Sequence, residues 1–380
     1  MSKEIIAKFV NPLYVEDELV KIGFDATYRH HAIKKNTLKT IKITNLRPQE
    51  ATILKQSALA LGFDAAVHRG VLDCSVETSD AILSGSVVHF EKLVLSLEKQ
   101  PFKMKKVAQL IKKLINNNLS TIKLNKNILD WSRPYIMGIL NITPDSFSDG
   151  GKFYDVEKAI THFLQMIEDG ADIIDIGAES TRPNSGKITI EEEISRLKPI
   201  FSELKNINAD VPISLDTRNV ETARLIVDEF GVDIINDVGF DSINNEMIEF
   251  VNAYSIPYIY THNKSYSKNL IDNIYYDLSL MKEKITAPVI FDVGIGFGKT
   301  IEQNYEILNR ISEFRGLNVP LLVGHSRKSY LSKCFDLQNE QLDEATAFIS
   351  AKLIENEVNI LRVHDAKIHK LLIDVYSKFC

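Results

Sequence analysis

Tyr135-Ile-Met-Gly-Ile-Leu-Asn-Ile-Thr-Pro-Asp-Ser-Phe-Ser-Asp-Gly-Gly151 is a short apolar run that breaks into a polar loop ending in two glycines. A helical stretch follows, in which residues 156–168 set Ile160, Phe163, Leu164 and Ile167 on one face at 3.6-residue spacing. Run, loop and helix then recur in that order to the end of the chain. The further runs are 172–177 (DIIDIG), 211–216 (VPISLD), 232–237 (VDIIND), 256–262 (IPYIYTH), 288–293 (PVIFDV), 320–325 (PLLVGH) and 359–364 (NILRVH). They are near-continuously apolar rather than alternating, the pattern of parallel strands buried on both faces. Between them, 191–204 again reads as a helix, with Ile194, Leu197, Ile200 and Phe201 on one side. Eight such units in roughly 250 residues predict an α/β fold, a (β/α)8 TIM barrel. An open doubly wound sheet would carry fewer strands and a G-x-G-x-x-G loop after the first. None follows the first run here, and the triplet Gly294, Gly296, Gly298 follows the sixth with the wrong spacing.

The rest of the chain has a different texture. Residues 1–130 hold 20 basic and 13 acidic side chains, whereas residues 131–380 hold 25 and 38. The split predicts two domains, 1–130 and 131–380. In the first, 51–61, 90–97 and 105–115 read as helices, and 65–68 and 82–88 as extended, giving a small α+β extension. Between Glu98 and Asp130 there is no acid but there are eight lysines, a pattern open to an anionic partner, a docking face or a merely solvated surface. No chemical motif marks this extension.

Composition narrows the class further. With 44% hydrophobic and 25% charged residues, the chain is neither disordered nor fibrous. Its three cysteines are too scattered for a disulfide framework or zinc cluster and fit a reducing cytoplasm. No apolar run approaches the roughly 20 residues that span a bilayer, the first residues show no leader pattern, and the net charge of −6 argues against nucleic acid as a partner.

A TIM barrel carries its site at the C-terminal ends of its strands, and here every such end is polar. Asn141 follows the first run; Glu179, Thr181, Arg182 and Pro183 follow the second; Asp216, Asn236-Asp237 and His262 close the next three. Asp292, then Ser326-Arg327-Lys328, then Arg362-Val363-His364 close the last three. Singly, each is explained as a helix cap or a turn residue. Eight in succession, with Arg327, Lys328, Arg362 and His364 among them, point to an enzyme site. Asp216, Asn236, Asp292 and Lys328 suit a ligand edge with adjacent N–H donors, such as an aminopyrimidinone, because a carboxylate accepts such a pair in bidentate fashion. Asn141, Arg182, Arg327, Arg362 and His364 suit an anion. The glycines at 150, 151 and 186 flank the two long loops as the hinges of a lid do. Adjacent His30 and His31 read as surface residues, and neither His262 nor His325 has a partner at metal-ligand spacing. A Mg2+ shared with a diphosphate needs only one or two protein oxygens, and Asn141 can supply one.

Together these motifs resemble the dihydropteroate synthase family of the folate pathway. The resemblance runs through residues 137–151, Gly177-Ala-Glu-Ser-Thr-Arg-Pro183, Asp216-Thr217, Asn236-Asp237, Asp292 to Lys299, Ser326-Arg-Lys-Ser329 and Arg362-Val-His-Asp365. It covers about residues 131–380 and leaves the extension outside. It implies a transferase of an alkyl or aryl group that condenses 6-hydroxymethyl-7,8-dihydropterin diphosphate with p-aminobenzoate, giving 7,8-dihydropteroate and diphosphate with Mg2+ as cofactor. By that resemblance Asp216, Asn236, Asp292 and Lys328 bind the pterin; Asn141, Arg362 and His364 meet the diphosphate and metal, Asn141 being the metal ligand. Phe147 and Asp149 belong to a first mobile loop and Thr181, Arg182 and Pro183 to a second, while Ser326 lies near the p-aminobenzoate carboxylate. Asp149, Arg362, His364 and Lys328 are the expected catalytic residues, and a homodimer is a family expectation. Two departures stand out: Val293 replaces the proline of Asp-Pro-Gly, and Thr261-His262-Asn263 replaces Met-His-Met. A methyltetrahydrofolate-dependent methyltransferase barrel would share the Asp/Asn pocket without needing loop 141–151. A non-catalytic pterin-binding protein would keep the pocket and lose loop residues.

Overall fold

Ile41, Ile43 and Leu46 turn to one side of strand β1 (Leu38–Leu46), and their burial organises the first of two compact units, Met1–Asn117. The computed structural model describes residues 7–116, 118–142, 152–178, 188–207, 209–239 and 244–379. Helices α1 (Val15–Lys21) and α2 (Arg29–Asn36) bury no side chain fully. After β1 come α3 (Pro48–Ala60), β2 (Asp64–Val67), β3 (Ser79–Ser86), α4 (Val87–Leu97) and α5 (Met104–Ile115). The strands pair antiparallel in the order β1-β3-β2. Leu54, Leu83, Phe90, Leu93 and Met104 are fully enclosed between sheet and helices. The unit is therefore α+β, with helix α4 starting where the sequence pattern still reads as extended.

The second unit, Asn118–Cys380, opens with a hairpin, β4 (Ile122–Lys123) and β5 (Ile128–Leu129). The barrel proper runs β6 (Tyr135–Asn141), α6 (Lys152–Glu168), β7 (Ile173–Gly177), α7 (Ile190–Ile207), β8 (Ile213–Asp216), α8 (Val220–Phe230), β9 (Ile234–Asp237) and α9 (Asn245–Tyr254). It continues through β10 (Tyr258–Thr261), α10 (Leu270–Lys284), β11 (Val289–Asp292), α11 (Ile301–Asn309), β12 (Leu321–Val323), α12 (Ser329–Phe335), α13 (Asn339–Glu355), β13 (Ile360–Val363) and α14 (Ala366–Tyr376). All eight strands are parallel, and β13 closes on β6 with Ile360 opposite Tyr135. The expected (β/α)8 barrel is observed. Among the described residues no helix is long and apolar enough to cross a membrane.

Strand alternation sorts the side chains. Outward residues such as Ile174, Leu215, Ile235, Tyr258 and Phe291 join Phe163, Leu197, Phe201 and Phe314 from the surrounding segments in one core. Leu164, expected on the apolar face of α6, remains exposed, and Ala159 and Met166 are buried there instead. Inward, Met137, Ile173, Ile234, Ile259, Ile290, Leu322 and Ile360 form a second core with Ile122 and Leu129 of the hairpin. Residues 118–130, which the charge pattern groups with the extension, thus belong to the barrel unit because the hairpin seals its N-terminal end.

Candidate active site

Two residues beyond that apolar floor, period-2 alternation turns the next side chain of each strand inward. Those positions are Ile139, Asp175, Asp216, Asn236, Thr261, Asp292, Gly324 and Arg362. Six of the eight are polar, so this step turns a mostly hydrocarbon layer into a largely polar ring. Arg362 is the link across it: Nε donates to Asp175 Oδ2 at 2.7 Å and Nη2 to Asp216 Oδ2 at 2.6 Å. Asn236 Nδ2 also donates to Asp175 Oδ2, at 2.8 Å. Asp292 Oδ1 accepts the Gly294 N–H at 2.8 Å. Asp175 Oδ1 and the Thr261 hydroxyl are buried without a partner among the described residues.

Sequence reading separates a carboxylate pocket from a cationic group; the fold joins them, because Arg362 is shared. It also misses Asp175, whose only signal is its inward position in the apolar run DIIDIG. Burial pushes the Asp216 carboxyl up to about 7, against the pull of Arg362. Two charge-assisted hydrogen-bonding partners of opposite sign at this distance favour the ionised pair. Desolvation likewise raises Asp292, with Lys328 and the Gly294 amide opposing.

Lys328 ends the loop after β12 and caps α12. Its Nζ donates to the Ile295 carbonyl at 2.6 Å and lies 3.8 Å from the centre of the Phe297 ring. Burial lowers its ammonium to about 7, with Asp292 resisting. Gly296 is left-handed at φ +83°, and a Cβ there would stand 2.5 Å from Lys328 Cδ, so this turn requires glycine. Ser326 Oγ lies 2.9 Å from His364 Nδ1 and 3.2 Å from the His364 amide, tying the loops after β12 and β13 together. Asn141 ends β6 opposite Gly177, half-buried at the mouth. Arg327 is held by Asp343 of α13 at 2.7 and 2.6 Å. Phe147, Asp149, Thr181, Arg182 and Pro183 lie outside the described residues.

The loop after β8 rests on a second residue that sequence reading passes over. Glu193, on α7, accepts from Thr217 Oγ1 at 2.7 Å, Asn219 Nδ2 at 2.7 Å and Thr222 Oγ1 at 2.6 Å. It lies four residues before Leu197, on the buried stripe of its helix, and that spacing is its signal. Of the strand-end histidines, His262 and His325 bond to the surrounding helices. His262 Nε2 meets Asp277 of α10 at 3.2 Å, and His325 is enclosed with Ser350 Oγ at 2.7 Å from Nε2. Among the described residues no group of three or more His, Cys, Asp or Glu is placed to hold a metal ion.

Residues 137–364 match the family described as pterin binding enzyme. The dihydropteroate synthase of Clostridium beijerinckii is 41% identical over 245 residues, covering 61% of this chain and 89% of that one. The bifunctional dihydropteroate synthase/dihydropteroate reductase of Helicobacter pylori is 31% identical over 388 residues and covers 98% of each. Among solved structures, Xanthomonas albilineans dihydropteroate synthase with 4-aminobenzoic acid superposes with a TM-score of 0.62 at 30% identity, covering 68% of this chain and 98% of that one. The chain belongs to the dihydropteroate synthase family of pterin-binding enzymes, transferases of folate biosynthesis.

Proposed function

We propose that the chain condenses 6-hydroxymethyl-7,8-dihydropterin diphosphate with p-aminobenzoate, releasing diphosphate and 7,8-dihydropteroate. The observation that carries this reading is the single polar ring in which Asp216, Asn236 and Asp292 stand with Arg362 over an apolar floor. A pterin's 2-amino and ring N–H groups offer the donors that such carboxylates accept, and Lys328 donates to a ring nitrogen or carbonyl. In this reading Arg362 and His364 would meet the leaving diphosphate and Ser326 the p-aminobenzoate carboxylate, roles that rest on the family resemblance. The C–O bond of the pterin methylene breaks as diphosphate leaves, the arylamine nitrogen attacks, and its proton is lost. Asp149, from the first long loop, stabilises the cationic methylene and helps exclude water. No general base precedes attack, because an arylamine is unprotonated at neutral pH. Mixing both substrates with the full chain tests this: diphosphate should appear only when p-aminobenzoate is present, and release without it, or none, refutes the reading. Asp149→Asn should lower turnover far more than pterin-diphosphate binding; an equal loss in both removes Asp149 from the reaction.

Mg2+ fits these residues only as a shared ion. No carboxylate or histidine cluster stands among the described residues; Asn141 Oδ1 would supply an oxygen to the ion, which would share substrate phosphate and water. When bound, the ion neutralises charge developing on the leaving diphosphate.

The Helicobacter pylori relative favours a second activity, since an alignment covering 98% of this chain takes in the unit Met1–Asn117. We infer that this unit supports reduction of the dihydropteroate product. Full-length protein given dihydropteroate and a reduced nicotinamide or flavin should form tetrahydropteroate; no turnover with any of these donors excludes it. A homodimer through α13 and α14 is proposed from exposed Phe348, Leu371 and Val375 on those helices, and a monomer in sedimentation would exclude it.

A further inference from the structure

Lys299 closes the glycine turn that follows β11, and its ammonium is fully committed to backbone. Nζ donates to the Gly294 carbonyl at 2.9 Å, the His262 carbonyl at 3.0 Å and the Phe297 carbonyl at 3.1 Å. An ammonium has three protons, and here each has a carbonyl acceptor. Lys299 has no proton left to offer a ligand, although it stands in the same turn as residues that line the ring. Its three acceptors come from two segments: His262 follows β10, whereas Gly294 and Phe297 belong to the turn. The cage therefore clamps the turn to the end of the neighbouring strand.

What the clamp holds is the seat of Lys328. The turn contributes both the Ile295 carbonyl that accepts from Lys328 Nζ and the Phe297 ring beneath it. Other supports point the same way: Asn304 Oδ1 accepts the Gly296 amide at 2.7 Å, and Asp292 accepts that of Gly294. Gly294 is at φ +72°, and a Cβ there would overlap the His262 carbonyl oxygen, so backbone meets backbone without a side chain between. Val293, Ile295 and Phe297 are buried and anchor the turn, while the glycines between them add no side chain, so charge-assisted hydrogen bonds fix the path of the backbone there.

We propose that Lys299 is a positioning residue, clamping the 294–298 turn so that the Ile295 carbonyl and the Phe297 ring seat the Lys328 ammonium at the polar ring. The inference deepens the pterin-site reading and rests on it for its effect on binding, but the seating of Lys328 is measurable without any ligand. In full-length protein, the rate at which acetic anhydride acetylates Lys328, read by peptide mass spectrometry, should rise about tenfold in Lys299→Met as the amine leaves its carbonyl. Affinity for 6-hydroxymethylpterin should fall by a similar factor while KM for p-aminobenzoate stays within about twofold. Lys299→Gln, which keeps two N–H donors for the cage, should restore part of both losses. Unchanged Lys328 acetylation in Lys299→Met overturns the inference, as does an equal loss of both substrates with no recovery in Lys299→Gln. Should Lys299→Met fail to fold, Lys299→Gln is read in its place, and a wild-type acetylation rate there overturns the inference equally. If the wild-type chain does not bind 6-hydroxymethylpterin yet acetylation rises in the variant, the clamp stands and the pterin reading falls.

Discussion

Arg362 and Asp216, 146 residues apart in sequence, meet at 2.6 Å inside the barrel, where both side chains are more than nine-tenths buried. The same guanidinium holds Asp175 at 2.7 Å, so one cation is shared by two carboxylates from adjacent strands. This turns a set of strand-end residues into a single electrostatic unit.

Removing the cation leaves two carboxylates in a low-dielectric layer, where among the described residues Asp175 keeps Asn236 as its side-chain partner and Asp216 keeps none. Arg362→Leu should therefore cost on the order of 3–5 kcal/mol of stability, read as a lower midpoint in urea unfolding. Lys at 362 keeps the charge without the planar fork and should recover only part of it. A wild-type midpoint in Arg362→Leu would show that the ring does not depend on this pairing.

Glu193 is the acceptor for three donors, two of them on the loop after β8. Glu193→Ala should destabilise by about 1–3 kcal/mol, since the buried hydroxyls of Thr217 and Thr222 lose their acceptor. Amide hydrogen exchange at residues 217–219 should accelerate more than in the distant helix α13. Uniform acceleration, or none, would deny the local role.

Burial holds His325 neutral, pushing its titration from 6.5 down to about 4, and His262 behaves alike. The native state then binds fewer protons than the unfolded chain between those values, so this contribution is complete above about 6.5 and is lost as pH falls toward about 4. Buried Asp216 and Asp237 titrate in the opposite sense, so the test is a difference. Glutamine at 325 cannot titrate, and the stability gap between wild type and His325→Gln should narrow by on the order of 1–3 kcal/mol on acidification. Parallel pH curves for the two proteins would refute the assignment.

The barrel was legible because each strand is buried on both faces and reads as an unbroken apolar run, whereas the strand ends are polar. That contrast located Asp216, Asn236, Asp292, Lys328 and Arg362. Asp175 was hidden because it interrupts an apolar run rather than ending one, and Glu193 because it sits among three consecutive glutamates. The bond between Arg362 and Asp175 spans 187 residues and exists only once β13 has closed on β6, a register that local pattern does not encode. The hairpin at 122–129 escaped for a simpler reason: strands of two residues are too short to show a period.

That hairpin has a consequence for traffic. With Ile122 and Leu129 stopping the lower end, the barrel is a well and not a conduit. A pterin seated on the polar ring, as proposed, would have to come down past the strand-end loops, and p-aminobenzoate arriving later would lie above it. The first to arrive would then be the last free to depart, and depth alone would set the order of binding.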